Sequence, residues 1–170
     1  IKTYEGVESF NIFGQTNYAL QYISDNHPGD IIFDSEFLKI VSIDIETATE
    51  ADAFPEPKYA AEEILLITVQ DNKTKEYKTF GSRPYTGENS GDYILCKNEK
   101  DLLRVFVTHW QCNVPDIITG WNIDLFDIPY LVNRIKKVLG DDYKKLSPWN
   151  NVIEKKTNVR GTEEILFDIV

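Results

Sequence analysis

Lys39-Ile40-Val41-Ser42-Ile43-Asp44-Ile45-Glu46-Thr47 alternates apolar and polar side chains along most of its length. Successive side chains of an extended strand point to opposite faces, so Val41, Ile43 and Ile45 face a core while Ser42, Asp44 and Glu46 share the other side. Positions two apart on a strand are separated by roughly 6.6 Å, close enough for both carboxylates to converge on one divalent cation. Like charges held this close repel and raise each other's pKa, so the pair is costly until a cation, a basic side chain or water neutralises it. A solvent-facing strand edge that bears two charges fits the same pattern.

Outward from that strand, residues 47–61 are rich in Glu, Ala and Pro and read as an exposed loop beside the carboxylates, where loops shape access. Residues 63–70 form an apolar strand, Asp71-Asn72-Lys73-Thr74 a turn, and residues 76–80 a returning strand, which together with the first strand make an antiparallel meander. Residues 81–92 hold Gly, Pro, Ser and Asn at loop density, and residues 93–96 return to extended structure. Asn98 reads as the N-cap of a helix running to about Cys112, with Leu102, Leu103, Phe106, His109 and Trp110 on one face. His109 on that stripe is expected to pack rather than to act as a ligand or base. A strand over residues 116–122 follows, and the whole is an α/β layout with helices packed on a mixed sheet. Upstream, residues 1–37 read as the edge of an N-terminal region, with a short helix at 17–23, a Pro-Gly turn at 27–30 and a short strand at Ile31-Ile32-Phe33.

A chain of 170 residues is one domain, with room at most for a small appendage. No apolar run approaches the roughly 20 residues of a membrane-spanning helix and no export signal is visible, so a cytoplasmic location away from membranes is expected. Cys96 and Cys112 have no metal-ligand spacing and read as reduced thiols. The chain opens on Ile1 and contains no Met, which reads as a trimmed or excised piece. A net charge of −10 argues at first sight against a nucleic-acid partner. Its distribution says more: residues 130–160 carry eight basic side chains against three acidic ones, leaving −15 for the rest. That asymmetry permits a phosphate-binding strip beside an acidic metal site, and equally a solvated helix face.

The second cluster is Gly120-Trp121-Asn122-Ile123-Asp124-Leu125-Phe126-Asp127-Ile128-Pro129-Tyr130, leading into a helix with apolar Leu131, Val132, Ile135, Val138 and Leu139 and closed by Gly140. Read alone, Asp127 is an N-cap, Pro129 suits the first helical turn, and Phe126 staples onto Leu131. A functional Asp127 would have to face Asp44 and Glu46 across the end of the sheet.

Asp44-Ile45-Glu46-Thr47, followed about eighty residues on by Gly120-Trp121-Asn122 and Phe126-Asp127, resembles the first two motifs of the 3′–5′ proofreading exonuclease domain of family B DNA polymerases, most closely those of large tailed bacteriophages. The resemblance extends through Phe54-Pro55-Glu56-Pro57, residues 64–68 and Leu146-Ser147-Pro148, covering residues 38–170 as the exonuclease domain. It implies a ribonuclease H-like mixed sheet with flanking helices, here truncated before the C-terminal helices. In the family this domain removes mispaired nucleotides from a single-stranded DNA 3′ end. The implied cofactor is Mg²⁺ or Mn²⁺, two ions per complete site: Asp44 would bridge both, Glu46 would hold one and orient the attacking water, and Asp127 would complete the second. Oxygen-only ligands agree with that choice of metal. Asn122 and Phe126 match positions that contact the frayed strand, the backbone at Thr47 would meet the terminal nucleotide, and Asp124 falls at a variable position. The implied partners are the single-stranded 3′ end and the remainder of the polymerase: palm, fingers, thumb and the missing exonuclease helices.

The family's third motif, a Tyr followed four residues later by Asp, has no match, and neither His27 nor His109 fits the histidine version. Asp168 lies in a terminal strand over residues 164–170 that corresponds to sequence well before that motif, and is not expected to be a ligand. Activity of the chain alone is therefore expected to be impaired, and DNA synthesis is not expected. Residues 146–170, with Lys155, Lys156 and Arg160, read as a hairpin extending from the fold, either touching DNA backbone or simply exposed. Two other readings stay open: a non-catalytic split or truncated subunit that binds DNA or a partner polypeptide, and a ribonuclease of the same fold class, which would need 2′-hydroxyl contacts.

Overall fold

The computed structural model describes residues 18–29, 34–49, 54–87, 92–159 and 161–169. Two compact units divide the chain, Ile1–Ser35 and Glu36–Val170. In the first, helix α1 (Tyr18–Asn26) occupies the expected helical stretch and runs further at its C-terminal end. Gly29 then bends the chain at φ 135°, a conformation open to glycine. The strand expected at Ile31-Ile32-Phe33 lies outside the described residues.

The second unit is built on β1 (Ile40–Thr47), whose inward residues Val41, Ile43 and Ile45 are buried as the alternation requires. β2 (Ile64–Asp71) and β3 (Tyr77–Gly81) extend from it as the expected antiparallel meander. The β2–β3 turn is closed by the Asp71 carboxylate, which accepts from the Lys73 and Thr74 amides at 2.8 and 2.9 Å. β4 (Tyr93–Leu95) joins β3 and β5 (Ile117–Thr119) joins β1, both in parallel, giving the sheet order β4-β3-β2-β1-β5. Mixed pairing of this kind needs crossover connections, one of which is helix α2 (Glu99–Cys112) between β4 and β5.

Asn98 caps α2 by accepting the Asp101 amide at 3.0 Å. Leu102, Leu103, Phe106, Val107 and Trp110 enter the core, joined by Leu131, Val132 and Ile135 from helix α3 (Asp127–Leu139). His109 packs as expected, its ring 5.3 Å from that of Phe80, and burial holds its pKa below the usual imidazole value. Gly140, at φ 66°, ends α3 and starts a 3-10 segment (Gly140–Leu146) whose Leu146 carbonyl accepts the Trp110 indole N–H at 2.8 Å.

β6 (Val152–Val159) and β7 (Thr162–Ile169) form the C-terminal hairpin. Its base is anchored rather than free, because Val152, Phe167 and Ile169 pack against the core cluster. The basic strip is also more neutral than its sequence suggested. Lys144 pairs with Asp141 and Lys145 with Asp142 at 3.2 and 2.7 Å, Lys155 pairs with Asp168, and Lys156 with Glu163 at 2.9 Å. Arg134 is buried against Glu99, and Arg160 lies outside the described residues. Acidic partners from the opposite strand of the hairpin were invisible to a count along the chain. Among the described residues no helix is long and apolar enough to cross a membrane.

Candidate active site

Asp44 and Glu46 stand together on the outer face of β1, opposite Thr68 and Leu66 of β2, and both are exposed. Just past them the ladder slips: Glu46 pairs with Leu66 but Thr47 pairs with Ile64, a bulge that turns the strand end. Ala48 then donates its amide to the Glu63 carbonyl at 2.8 Å.

β5 pairs with β1 only through Ile40, Val41 and Ser42, so the edge of β1 beyond Ser42 has lost its neighbour. This is shorter than the strand expected over 116–122, and Gly120 shows why. A Cβ there would lie 2.7 Å from the Ile43 carbonyl oxygen, so only glycine lets the chain graze β1 at this point before leaving it. Asn122 then takes the left-handed conformation, φ 56°, that Asn tolerates best after Gly. Its carbonyl accepts the Leu125 and Phe126 amides at 3.1 Å each, wrapping the chain into the start of α3.

That wrap delivers Asp127 to the vacated edge. Oδ1 of Asp127 accepts the Ile45 amide at 3.1 Å, so a carboxylate replaces the strand that ended at Thr119. The capping expectation is corrected here: the N-cap position is Phe126, no side chain caps the helix, and Asp127 is its first residue. Asp127 is only 4% exposed, and burial raises its pKa above the ordinary carboxylate value. The Ile45 hydrogen bond opposes that rise, while the charges of Asp44 and, more weakly, Glu46 add to it. Asp127 is thereby brought from far along the chain to the end of β1 that bears Asp44 and Glu46.

Phe126 is the N-cap residue of α3 and packs against the core cluster that includes Leu131. Its half-buried ring lies 5.7 Å from Tyr130 and 5.1 Å from Phe54, which is itself 79% exposed. Phe54 stood in the sequence only as part of the Phe54-Pro55-Glu56-Pro57 stretch of the resemblance, with no role of its own. Thr47 is half-buried at the strand end, and Asn122 and its neighbour Trp121, 94% exposed, stand on the surface of the β5–α3 connection. Asp124 is exposed, and Asp168 is committed to Lys155.

The profile of the family described as "DNA polymerase family B, exonuclease domain" matches residues 15–166. The chain belongs to that family of exonuclease domains. It is 33% identical over 181 aligned positions to the DNA-directed DNA polymerase of Escherichia phage RB69, and 31% over 180 to that of Enterobacteria phage T4. These alignments cover 90% and 89% of this chain and 20% of each relative. The catalytic subunit of Bos taurus DNA polymerase delta is 30% identical over 131 positions, covering 72% of this chain and 11% of that protein. The chain thus spans about one fifth of the length of its phage relatives. The five-stranded mixed sheet with flanking helices is the ribonuclease H-like architecture of this exonuclease family.

The side-chain donors of Asp44, Glu46 and Asp127 are oxygen only, which suits a hard cation such as Mg²⁺ or Mn²⁺. Among the described residues, no lysine, arginine or histidine forms an ion pair with Asp44, Glu46 or Asp127. Nor, among those residues, do three His, Cys, Asp or Glu side chains close into a ready-made metal cage. The two exposed carboxylates on β1 fit Mg²⁺, which is ordinarily held by one or two carboxylates and completes its octahedron with water and substrate phosphate oxygens.

Proposed function

We propose that this domain hydrolyses the 3′-terminal phosphodiester of single-stranded DNA, as the proofreading part of a family B DNA polymerase. The observation that carries the reading is the hydrogen bond from the Ile45 amide to Asp127, which brings a buried carboxylate to the strand that bears Asp44 and Glu46. Mg²⁺ or Mn²⁺, two ions in a complete site, would supply the positive charge that activates water and offsets charge on the departing 3′ oxygen. Asp44 and Glu46, exposed and side by side, would hold metal at the substrate face, with Asp127 fixed from beneath by Ile45. The Thr47 backbone would meet the terminal nucleotide. Phe126, with Phe54 against it, would stack on an unpaired base, a contact worth about 1–3 kcal/mol and indifferent to base identity. Asn122, whose backbone shapes the turn, would reach the strand with its side chain. Residues 38–170 would form the nuclease domain, and the remaining partners would be the palm, fingers and thumb of the polymerase. With three carboxylates where the family uses four, the 170-residue polypeptide by itself is expected to be slow.

A second reading, a non-catalytic polypeptide that binds DNA or a partner chain, draws on the absence of a closed three-ligand group among the described residues. A 5′-labelled single-stranded oligonucleotide incubated with Mg²⁺ separates the two. Shortening from the 3′ end that disappears in Asp44→Ala supports hydrolysis, whereas binding with equal product from wild type and variant removes Asp44 from the chemistry and favours the second reading.

A further inference from the structure

Helix α3 does more than deliver Asp127. One turn on, the Tyr130 hydroxyl donates to the Glu62 carbonyl at 2.8 Å and accepts the Glu62 amide at 3.1 Å. On the next turn, the Asn133 side-chain amide donates to the Pro57 carbonyl at 3.0 Å. Arg134 then donates from Nη1 to the carbonyls of Ala60 and Ala61 at 3.0 and 2.7 Å. Its Nε and Nη2 grip both oxygens of Glu99 at 2.6 and 2.7 Å, and Glu99 Oε1 in turn accepts the Ile64 amide at 2.8 Å. Apart from the Arg134–Glu99 pair itself, every one of these contacts falls on the backbone of residues 57–64. That segment returns to β1 at the bulge beside Glu46, where Ile64 pairs with Thr47 and Glu63 with Ala48. Ala60 sits fully buried under the clamp at φ 39°, a backbone shape a non-glycine residue keeps only when its surroundings impose it.

We propose that Arg134 and Glu99 are positioning residues for the acidic cluster: they lock residues 60–64 to the same helix that carries Asp127, and so set the spacing between Asp127 and the Glu46–Thr47 bulge. This rests on the nuclease reading for its purpose, though not for its geometry. Both side chains are buried, at 7% and 8% exposure for Arg134 and Glu99. The planar guanidinium serves two carbonyls and a carboxylate at once, which the single ammonium of lysine cannot do.

The test is Arg134→Lys in the 170-residue chain, which keeps a positive charge beside Glu99. Two readouts are taken well below its melting temperature: amide hydrogen exchange residue by residue, and Mn²⁺ affinity from the free-ion electron paramagnetic resonance signal. The expected result is exchange at least tenfold faster at Ile45, Ala48 and Ile64, with Val69 and Phe80 in the remote part of the sheet unchanged, and Mn²⁺ affinity at least fivefold weaker. A pair that only adds stability would speed exchange across the whole sheet, or leave Ile45 and the Mn²⁺ affinity at wild-type values, and either outcome overturns the proposal. If wild type itself binds no Mn²⁺ while the local exchange pattern appears, the nuclease reading fails and the positioning role stands.

Discussion

Asp127 and Glu99 are built alike and used differently. Each is the first residue of a core helix, each is nearly buried at 4% and 8% exposure, and each turns its carboxylate to accept the backbone amide of a strand residue, Ile45 and Ile64 respectively. At that position the helix N-terminus favours a negative charge. Glu99 adds a bidentate arginine and is neutralised inside the fold. Asp127 instead meets two more carboxylates, and burial, with those charges adding to it, raises its pKa. The same local device therefore makes a strut where the partner is a cation built into the chain and, in the proposed function, an ion-binding edge where the cation must come from outside.

The comparison breaks most severely if Glu99 is made to resemble Asp127. Arg134→Met leaves a buried carboxylate without its partner and is expected to cost about 3–5 kcal/mol, read from the midpoint of urea unfolding. Next in size, Asp44→Ala takes a carboxylate proposed to bind metal from the other cluster and should lower hydrolysis by about 100-fold or more, since even outer-shell changes at metal sites cost 10–100-fold. Its stability in the absence of divalent ions should not fall, because an exposed charge facing like charges is lost. Mn²⁺ should raise the melting temperature of wild type, by the equivalent of about 2.7 kcal/mol at a hundredfold excess over its dissociation constant. Asp44→Asn combined with Glu46→Gln should abolish that shift, and an equal shift in the double variant would place the ion elsewhere.

The smallest effect concerns pH. The folded-state pKa of Asp127 lies above its ordinary value of 3.8, so the folded protein holds this proton more tightly than the unfolded chain. Below 3.8 the group costs the fold nothing; as pH rises through the raised folded value, stability is lost. Asp127→Asn keeps an oxygen for the Ile45 amide and removes the charge. Measured with a chelator present, its melting temperature should match wild type at the acid end and exceed it increasingly as pH rises. A gap that shrinks with rising pH would mean Asp127 is stabilised as an anion.

Much of this was legible along the chain because it depended on near neighbours. The alternation through Val41, Ile43 and Ile45 marked β1 and its buried face, and the turn at Asp71, the cap at Asn98 and the stop at Gly140 ended elements where they do. Those signals come from sterics and hydrogen bonds that reach only a few residues. The paired carboxylates of β1 were legible for the same reason, and the motif resemblance carried the family.

What only tertiary structure decided were the partners. Asp127 looked like a helix cap because a cap and an edge ligand need the same residue before a helix; the early end of β5 at Thr119 freed the Ile45 amide and settled which it became. Arg134 and Lys155 counted as strip charges until Glu99 and Asp168 came up against them from 35 and 13 residues away. Charge and hydrogen-bonding capacity belong to a residue, but whether they are spent inside the fold or kept for a ligand depends on what the chain brings within about 3 Å, and that is fixed only when the whole sheet and its helices close.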